Sequence, residues 1–576
     1  MVLEIDEKRQ AILDCKRNLL VIGGPGCGKT TIALLKAFLY VRDNNLNRGQ
    51  KVLFLSFSRN AKARIMESAS GFSDFKEYGH KLDVQTFHAF FLELIRSYAY
   101  LLGTPKKISI VPPHDEAALK GGRKDDDATW IKEKSDMFYG EGKITFDRFA
   151  ATVLELITRS NRLRTMIACC FPLIIVDEAQ DTDAEQWQIV EAFHGISQLF
   201  LLGDLDQQIF DYRPDVDPKR LEGIKQSIEP LEIILEFQNY RNPNTEILDF
   251  AKDLLYNTPR ESSGYKGVTK LVYNPRADRR DMGIRQSVGI MRNTIMKITG
   301  EKPKNIAILA PWAKGVKTIS VALRQRNIAH RVQFDETATN LSSRLIACLM
   351  EPILDSTQHL IWIIQILRDY ASAKGARKDH DKYDRWISTI GEGKSPMGKM
   401  VPYFKGLISE LAQHKLSGNP ATDWRFIQQK LLSCEMRPIQ DFARQSEFLV
   451  AYNRGRIIMR DLGDAWMNNY CYANARGILQ NAIVEAQLSS DVIGEEGINV
   501  MTTYKSKGKE FDGVIMFQNE HSAPVELRDD NKSFSRSRKL FLVGVTRARY
   551  HVFILRQAGY DSAILDSFKL DGLSSS

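Results

Sequence analysis

The chain offers little sulfur chemistry. Its seven cysteines, at 15, 27, 169, 170, 348, 434 and 471, form neither CxxC pairs nor the spacing of zinc ligands. That excludes a disulfide framework and a structural zinc site, and reduced thiols are the expectation. No apolar run reaches the roughly 18 residues that a membrane span needs. The opening MVLEIDEKRQ lacks the apolar core of a secretory signal, so a cytoplasmic location is expected. Internal repeats are missing as well. A large surplus of one charge is also lacking: a net charge of +9 over 576 residues permits polyanion binding without requiring it.

What is present belongs to a globular protein of several domains. An apolar fraction of 43% and a charged fraction of 26% are ordinary for such a chain. The length exceeds one core and predicts about three to four domains. Apolar runs at 18–23, 51–57, 82–87, 172–177 and 198–203 predict strands, with helices between them at 29–41 and 183–194. Near-continuous apolar strands joined by helices predict a parallel sheet covered on both faces. Residues 92–160 break this rhythm with polar helices and the charged loop GGRKDDD, and read as an insertion. A second α/β pattern starts at LEIILEFQNYR (231–241) and runs through NIAILAPW, a helix at 313–326 and HRVQF. Helical, basic sequence interrupts it over 346–494 before INVMTTY resumes strand character.

The chemistry concentrates in six strings. GGPGCGKTT at 23–31 follows a strand and precedes a helix, the setting a phosphate-binding loop needs. Backbone N–H groups of Gly23, Gly24, Pro25 (which has none to give), Gly26, Cys27 and Gly28 trace the turn around a β-phosphate, and the helix N-terminus adds positive potential. Lys29 is placed for the β- and γ-phosphates, Thr30 for Mg²⁺, and Thr31 follows in the helix. In VDEAQD (176–181), Asp177 is a second candidate Mg²⁺ ligand and Glu178 a candidate base for the attacking water. GDLDQQIF (203–210), QNYRNP (238–243), TYKSKGKEFD (503–512) and VGVTRAR (543–549) complete the series and make an ATP-driven nucleic-acid motor.

These strings, in this order from about residue 4 to 557, resemble superfamily 1 helicases of the UvrD/Rep type. The resemblance implies an α/β fold with two RecA-like P-loop motor domains built on parallel sheets, each interrupted by a mainly helical insertion. The expected boundaries are 1–91 with 161–228, insertion 92–160, 229–345 with 495–560, insertion 346–494, and a polar tail over 561–576. It further implies Gln207 as a γ-phosphate sensor, Arg241 and Arg547 as arginines from the second motor domain, Tyr240 on adenine and Glu510 near the ribose. Thr31 stands where the family often has an adenine-stacking arginine. The family's adenine-reading glutamine aligns with Lys8, two residues before Gln10.

Candidate DNA contacts are Phe57 and Tyr212 for base stacking, and Arg59, Thr86, His88 and Thr502 for phosphates. Tyr504 replaces a histidine usual in the family. Lys374, Arg377, Lys378, Lys382 and Arg385, and likewise Arg454, Arg456 and Arg460, form basic clusters in the second insertion, open to two readings: solvated surface, or duplex and partner contact. No appended nuclease motif is found. The expected activity is an ATP- and Mg²⁺-dependent 3′→5′ translocase and helicase on single-stranded DNA and single-strand/duplex junctions, in repair, recombination or anti-phage defence. The alternative is a DNA-stimulated ATPase that serves a partner nuclease or acts as a recruitment switch.

Overall fold

Apolar runs too short for helices and bounded by turns become the parallel strands of two sheets. The computed structural model describes residues 4–57, 59–121, 123–204, 206, 208, 217–236, 244–260, 264–333, 337–373, 376–446, 453–488, 496–521, 523–527, 530 and 533–574. It begins with the strands β1 (Leu19–Ile22), β2 (Val52–Ser56) and β3 (Leu82–Thr86). A two-stranded ladder, β4 (Ser109–Val111) with β5 (Lys143–Thr145), follows in the first insertion. Then come β6 (Leu173–Val176), β7 (Gln198–Gly203) and β8 (Leu231–Ile234).

The first sheet has the order β3-β2-β6-β7-β1-β8, parallel throughout. Leu19, Val21, Val52, Phe54 and Ile175 pack on Ile32, Ala33, Ala37 and Phe38 of the helix that follows β1. Leu20, Leu53 and Ile174, facing the other way, are also fully buried. Both faces are thus covered, which explains why these strands show no polar alternation. One placement differs from the sequence reading. The segment 231–234 was assigned to the second pattern, yet β8 pairs with β1 as the edge of the first sheet. Parallel strands of either sheet carry the same apolar signature, so composition alone does not assign them.

The second sheet comprises β9 (Val268–Tyr273), β10 (Asn305–Ala310), β11 (Arg331–Gln333), β12 (Gly497–Thr502), β13 (Phe511–Gln518), β14 (Ala548–Gln557) and β15 (Asp571–Ser574). Its order is β11-β12-β10-β13-β14-β9-β15, again parallel. The polar C-terminal stretch therefore supplies an edge strand, where a weakly apolar sequence can pair its backbone without filling a core.

The chain divides into two compact units. One holds both sheets (residues 1–93, 150–334 and 490–576), and the other holds both insertions (94–149 and 335–489). Within the second unit, Arg344 of the helix Thr337–Met350 binds Asp115 of the helix Pro113–Lys120 at 2.5 Å. Gln480 also donates to Asp115, at 3.3 Å. All seven cysteines are free thiols. Among the described residues, no helix is long and apolar enough to cross a membrane.

Candidate nucleotide site and nucleic-acid track

The phosphate loop follows from backbone needs at the end of β1. Gly23 N–H donates to the Gly203 carbonyl at 3.1 Å, tying the start of the loop to β7. Gly28, at φ 89°, occupies the left-handed region and caps the helix Lys29–Asn44 (α2), a conformation that side chains resist. A Cβ on Gly23 would lie 2.6 Å from Cys27 Sγ, so the buried thiol fills the space that the glycine leaves. Thr30 and Thr31 sit half-buried in the first turn of α2.

Lys29 Nζ donates to the Gly23 carbonyl, to the Gly24 carbonyl at 2.9 Å and to Asp204 at 3.3 Å. Burial opposes its charge, but carboxylates led by Asp204, with Glu178 and Asp177 among them, hold the ammonium above its usual range. A lysine kept charged here is ready for a polyphosphate.

Asp177 continues β6 and is buried, its N–H donating to the Leu55 carbonyl at 2.9 Å. Glu178 adopts a left-handed backbone conformation (φ 55°), rare for a residue with a Cβ and typical of constrained sites. Its carboxylate accepts from Gln180 at 2.5 Å and lies 3.6 Å from Lys507. Burial raises the Glu178 carboxyl, yet Lys507, Lys29, Gln180 and Arg547 together hold it below the usual carboxylate range. Lys507 also pairs with Asp181. Burial pushes Asp181 up to about 7 against the pull of that lysine, while Asp181 and Glu178 keep Lys507 protonated despite burial.

A Mg²⁺ ion prefers hard oxygen donors and keeps several waters, taking one or two carboxylates together with substrate phosphates. A buried Asp177 carboxylate beside a loop that ends in the Thr30 hydroxyl fits that donor set. Among the described residues, no cluster of three or more metal-ligating side chains competes with it.

Arg547 is buried just beyond the helix Ser535–Val545, with Nε donating to the Val543 carbonyl and Nη2 to the Thr546 hydroxyl, both at 2.9 Å. Its charge acts on Glu178, so β6 of the first sheet and the helix before β14 of the second meet electrostatically at one place. Glu510 accepts from Arg549 at 3.3 Å. Gln207, Tyr240 and Arg241 lie outside the described residues.

Several participants at this site did not emerge from the sequence. Asp204, Gln180, Asp181 and Lys507 lie inside motifs that were identified, and those motifs were the available signal. Arg9, buried in the helix Glu7–Asp14 (α1), donates to the Cys27 carbonyl at 3.1 Å, and no local pattern marks it. Lys8 instead donates to the Ile234 carbonyl at 3.2 Å and to Glu236 at 2.9 Å, and Gln10 turns to Asp14.

Of the candidate DNA contacts, Phe57 is half-buried just beyond β2, with its ring 5.3 Å from that of Phe87. Thr86 ends β3 and caps the next helix, its hydroxyl accepting from Ala89 N–H at 3.2 Å. His88 is exposed on the first turn of that helix (Phe87–Tyr98). Thr502 ends β12 and is half-buried, while the Tyr504 hydroxyl accepts from Arg536 at 3.3 Å. Tyr212 and the Arg59 side chain lie outside the described residues. These positions follow β2, β3 and β12, at the C-terminal ends of parallel strands, where open α/β sheets place their ligands.

The basic clusters of the second insertion are tempered by acids. Lys378, Lys382 and Arg385 share the helix Arg377–Gly391 with Asp379, Asp381 and Asp384, and Lys382 lies over the Trp386 ring at 4.5 Å. Arg460 pairs with Asp461 at 2.9 Å. Lys374 and the side chains of Arg377, Arg454 and Arg456 lie outside the described residues.

Comparison with known proteins adds independent observations. A family model described as an AAA domain matches residues 8–213, and one described as a UvrD-like helicase C-terminal domain matches residues 440–558. The chain is 24% identical over 296 residues to the ATP-dependent DNA helicase PcrA of Staphylococcus aureus, a match covering 44% of this chain and 40% of that protein. It is 25% identical over 293 residues to the ATP-dependent DNA helicase Rep of Escherichia coli, covering 44% and 43%. For DNA helicase II of Haemophilus influenzae the figures are 23% over 299 residues, covering 44% and 40%. The chain thus spans less than half the length of these curated relatives.

Proposed function

We propose, for a chain that belongs with the UvrD/Rep-type helicases, an ATP-driven motor that moves 3′→5′ along single-stranded DNA and separates duplexes ahead of it. The observation that carries this reading is the meeting of charges from two sheets. Lys29, Asp177 and Glu178 belong to the first sheet, while Lys507 and Arg547, both acting on Glu178, come from the second. A site assembled from two sheets can report on the distance between them, which a nucleotide-binding module on one sheet cannot do.

In this account Lys29 and the loop amides hold the triphosphate, and Thr30 and Asp177 hold Mg²⁺, which neutralises phosphoryl charge when bound. Glu178 takes the proton of the attacking water. Arg547 and Arg241, delivered from the second sheet, stabilise charge developing on the phosphoryl oxygens only when the sheets draw together. Gln207 senses the γ-phosphate, Tyr240 stacks on the base and Glu510 approaches the ribose. Closure shifts the strand held by Phe57, Arg59, Thr86, His88, Tyr212 and Thr502, and release after hydrolysis resets it. Polarity and the preference for DNA rest on the relatives.

The test is unwinding of duplexes bearing a 3′ or a 5′ single-stranded tail, with ATP and Mg²⁺. Unwinding only from the 3′ tail is the expected result, and unwinding only from the 5′ tail would reverse the assignment. Strand-dependent ATP turnover without unwinding from either tail would instead favour a subunit that works with a partner nuclease or as a recruitment switch, in repair or anti-phage defence.

A further inference from the structure

We infer that Lys8 and Glu236 together read the base of the bound nucleotide and favour adenine over guanine, an inference that rests on the nucleotide site proposed above. The order of strands sets the geometry. Relative to β1 and its loop, β6 and β7 lie on one side and β8 on the other. Asp177 and Asp204, which mark the reacting end, follow β6 and β7. A triphosphate whose γ end points to those carboxylates carries its base away from them, toward the flank formed by β8 and α1.

That flank is built against the loop. Leu235 N–H donates to the Ile22 carbonyl at 2.8 Å, and a Cβ on Gly23 would meet Leu235 Cβ at 3.3 Å. The end of β8 is therefore level with the first residue of the phosphate loop. From the other element, the buried Arg9 guanidinium holds α1 to the Cys27 carbonyl. Arg9 is thus a positioning residue. The adjacent Lys8 reaches across to Ile234 and Glu236, placing an ammonium and a carboxylate 2.9 Å apart.

The pair remains reachable, with Lys8 and Glu236 side chains 47% and 77% exposed. An ammonium has three N–H donors and a carboxylate only acceptors, so each keeps capacity beyond the pair itself. Adenine presents an acceptor at N7 next to a donor at the N6 amine, which matches a donor beside an acceptor. Guanine presents acceptors at both N7 and O6, so its O6 would face the Glu236 carboxylate.

The experiment is equilibrium binding of ATP, GTP, 7-deaza-ATP and inorganic tripolyphosphate to the full chain, to Lys8→Met and to Glu236→Gln. The wild type should prefer ATP to GTP by about tenfold, the worth of one good polar contact. Glu236→Gln, whose amide can turn an N–H toward O6, should shrink that preference to about twofold. 7-Deaza-ATP should bind more weakly than ATP to the wild type but not to Lys8→Met, and tripolyphosphate should bind all three proteins alike. An ATP preference unchanged by Glu236→Gln would overturn the inference while leaving the nucleotide site intact. Tripolyphosphate binding that falls with either substitution would reduce the pair to a general electrostatic contribution and overturn it as well. Failure of every triphosphate to bind would overturn the nucleotide site and this inference together.

Discussion

At the residue scale, the account turns on which charges the site keeps and which it shares. Lys29 is held protonated by the carboxylates around it, and Glu178 is held ionised by cations from both sheets. Lys29→Ala and Glu178→Gln should each abolish ATP turnover, and Glu178→Gln should retain strand binding. A turnover assay beside a strand-binding titration checks both. Lys507 is the more exacting case. Replacing it with methionine leaves Asp181 and Glu178 buried without their nearest cation, a change that typically costs about 3–5 kcal/mol. Lys507→Met should therefore lower the denaturant midpoint markedly, and adding Asp181→Asn should recover part of the loss. Equal stability of wild type and single variant would show that the pair contributes nothing.

The legibility of this site followed sequence distance. Residues of the phosphate loop are adjacent in sequence, so glycines, a lysine and a following helix could be read together. The Asp181–Lys507 pair joins residues 326 positions apart, and no local periodicity encodes such a contact. Arg9 was hidden for another reason. An arginine on a short amphipathic helix reads as surface, and only the position of the Cys27 carbonyl gives it a buried partner.

At the element scale, strands were legible to within a residue or two because both faces of each sheet are buried and the apolar runs end where burial ends. Their assignment to a sheet was not: β8 and β15 became edge strands of different sheets on the strength of backbone pairing. The insertion helices carry a different kind of test. Glu116, on the helix Pro113–Lys120, is pushed up to about 7 by burial and by Asp147, against Lys134 and Lys120. A carboxyl whose folded value is raised contributes stability below its unfolded value of 4.5, and that contribution is lost as pH rises through about 7. Glu116→Gln removes the titration. The variant should thus melt higher than the wild type at pH 8.5 and show no such advantage at pH 5, as read by thermal unfolding at the two pH values. An identical difference at both would contradict the burial of this carboxyl.

At the scale of the whole molecule, the two α/β patterns and their interruptions were visible as changes of rhythm along the chain. That both insertions fall into a single compact unit was not, since Arg344 and Asp115 meet across 229 positions. The proposed function likewise depends on elements far apart in sequence acting in one cycle. Lys29 and Arg547 belong to different sheets, and turnover is productive only if their approach and separation advance a strand. The most direct measurement is the arrival of the protein at a labelled end of single strands of increasing length, after ATP is mixed with preformed complexes. A lag at the 5′ end that grows in proportion to strand length, with none at the 3′ end, is the predicted result. A signal whose timing is indifferent to length at both ends would contradict directional stepping.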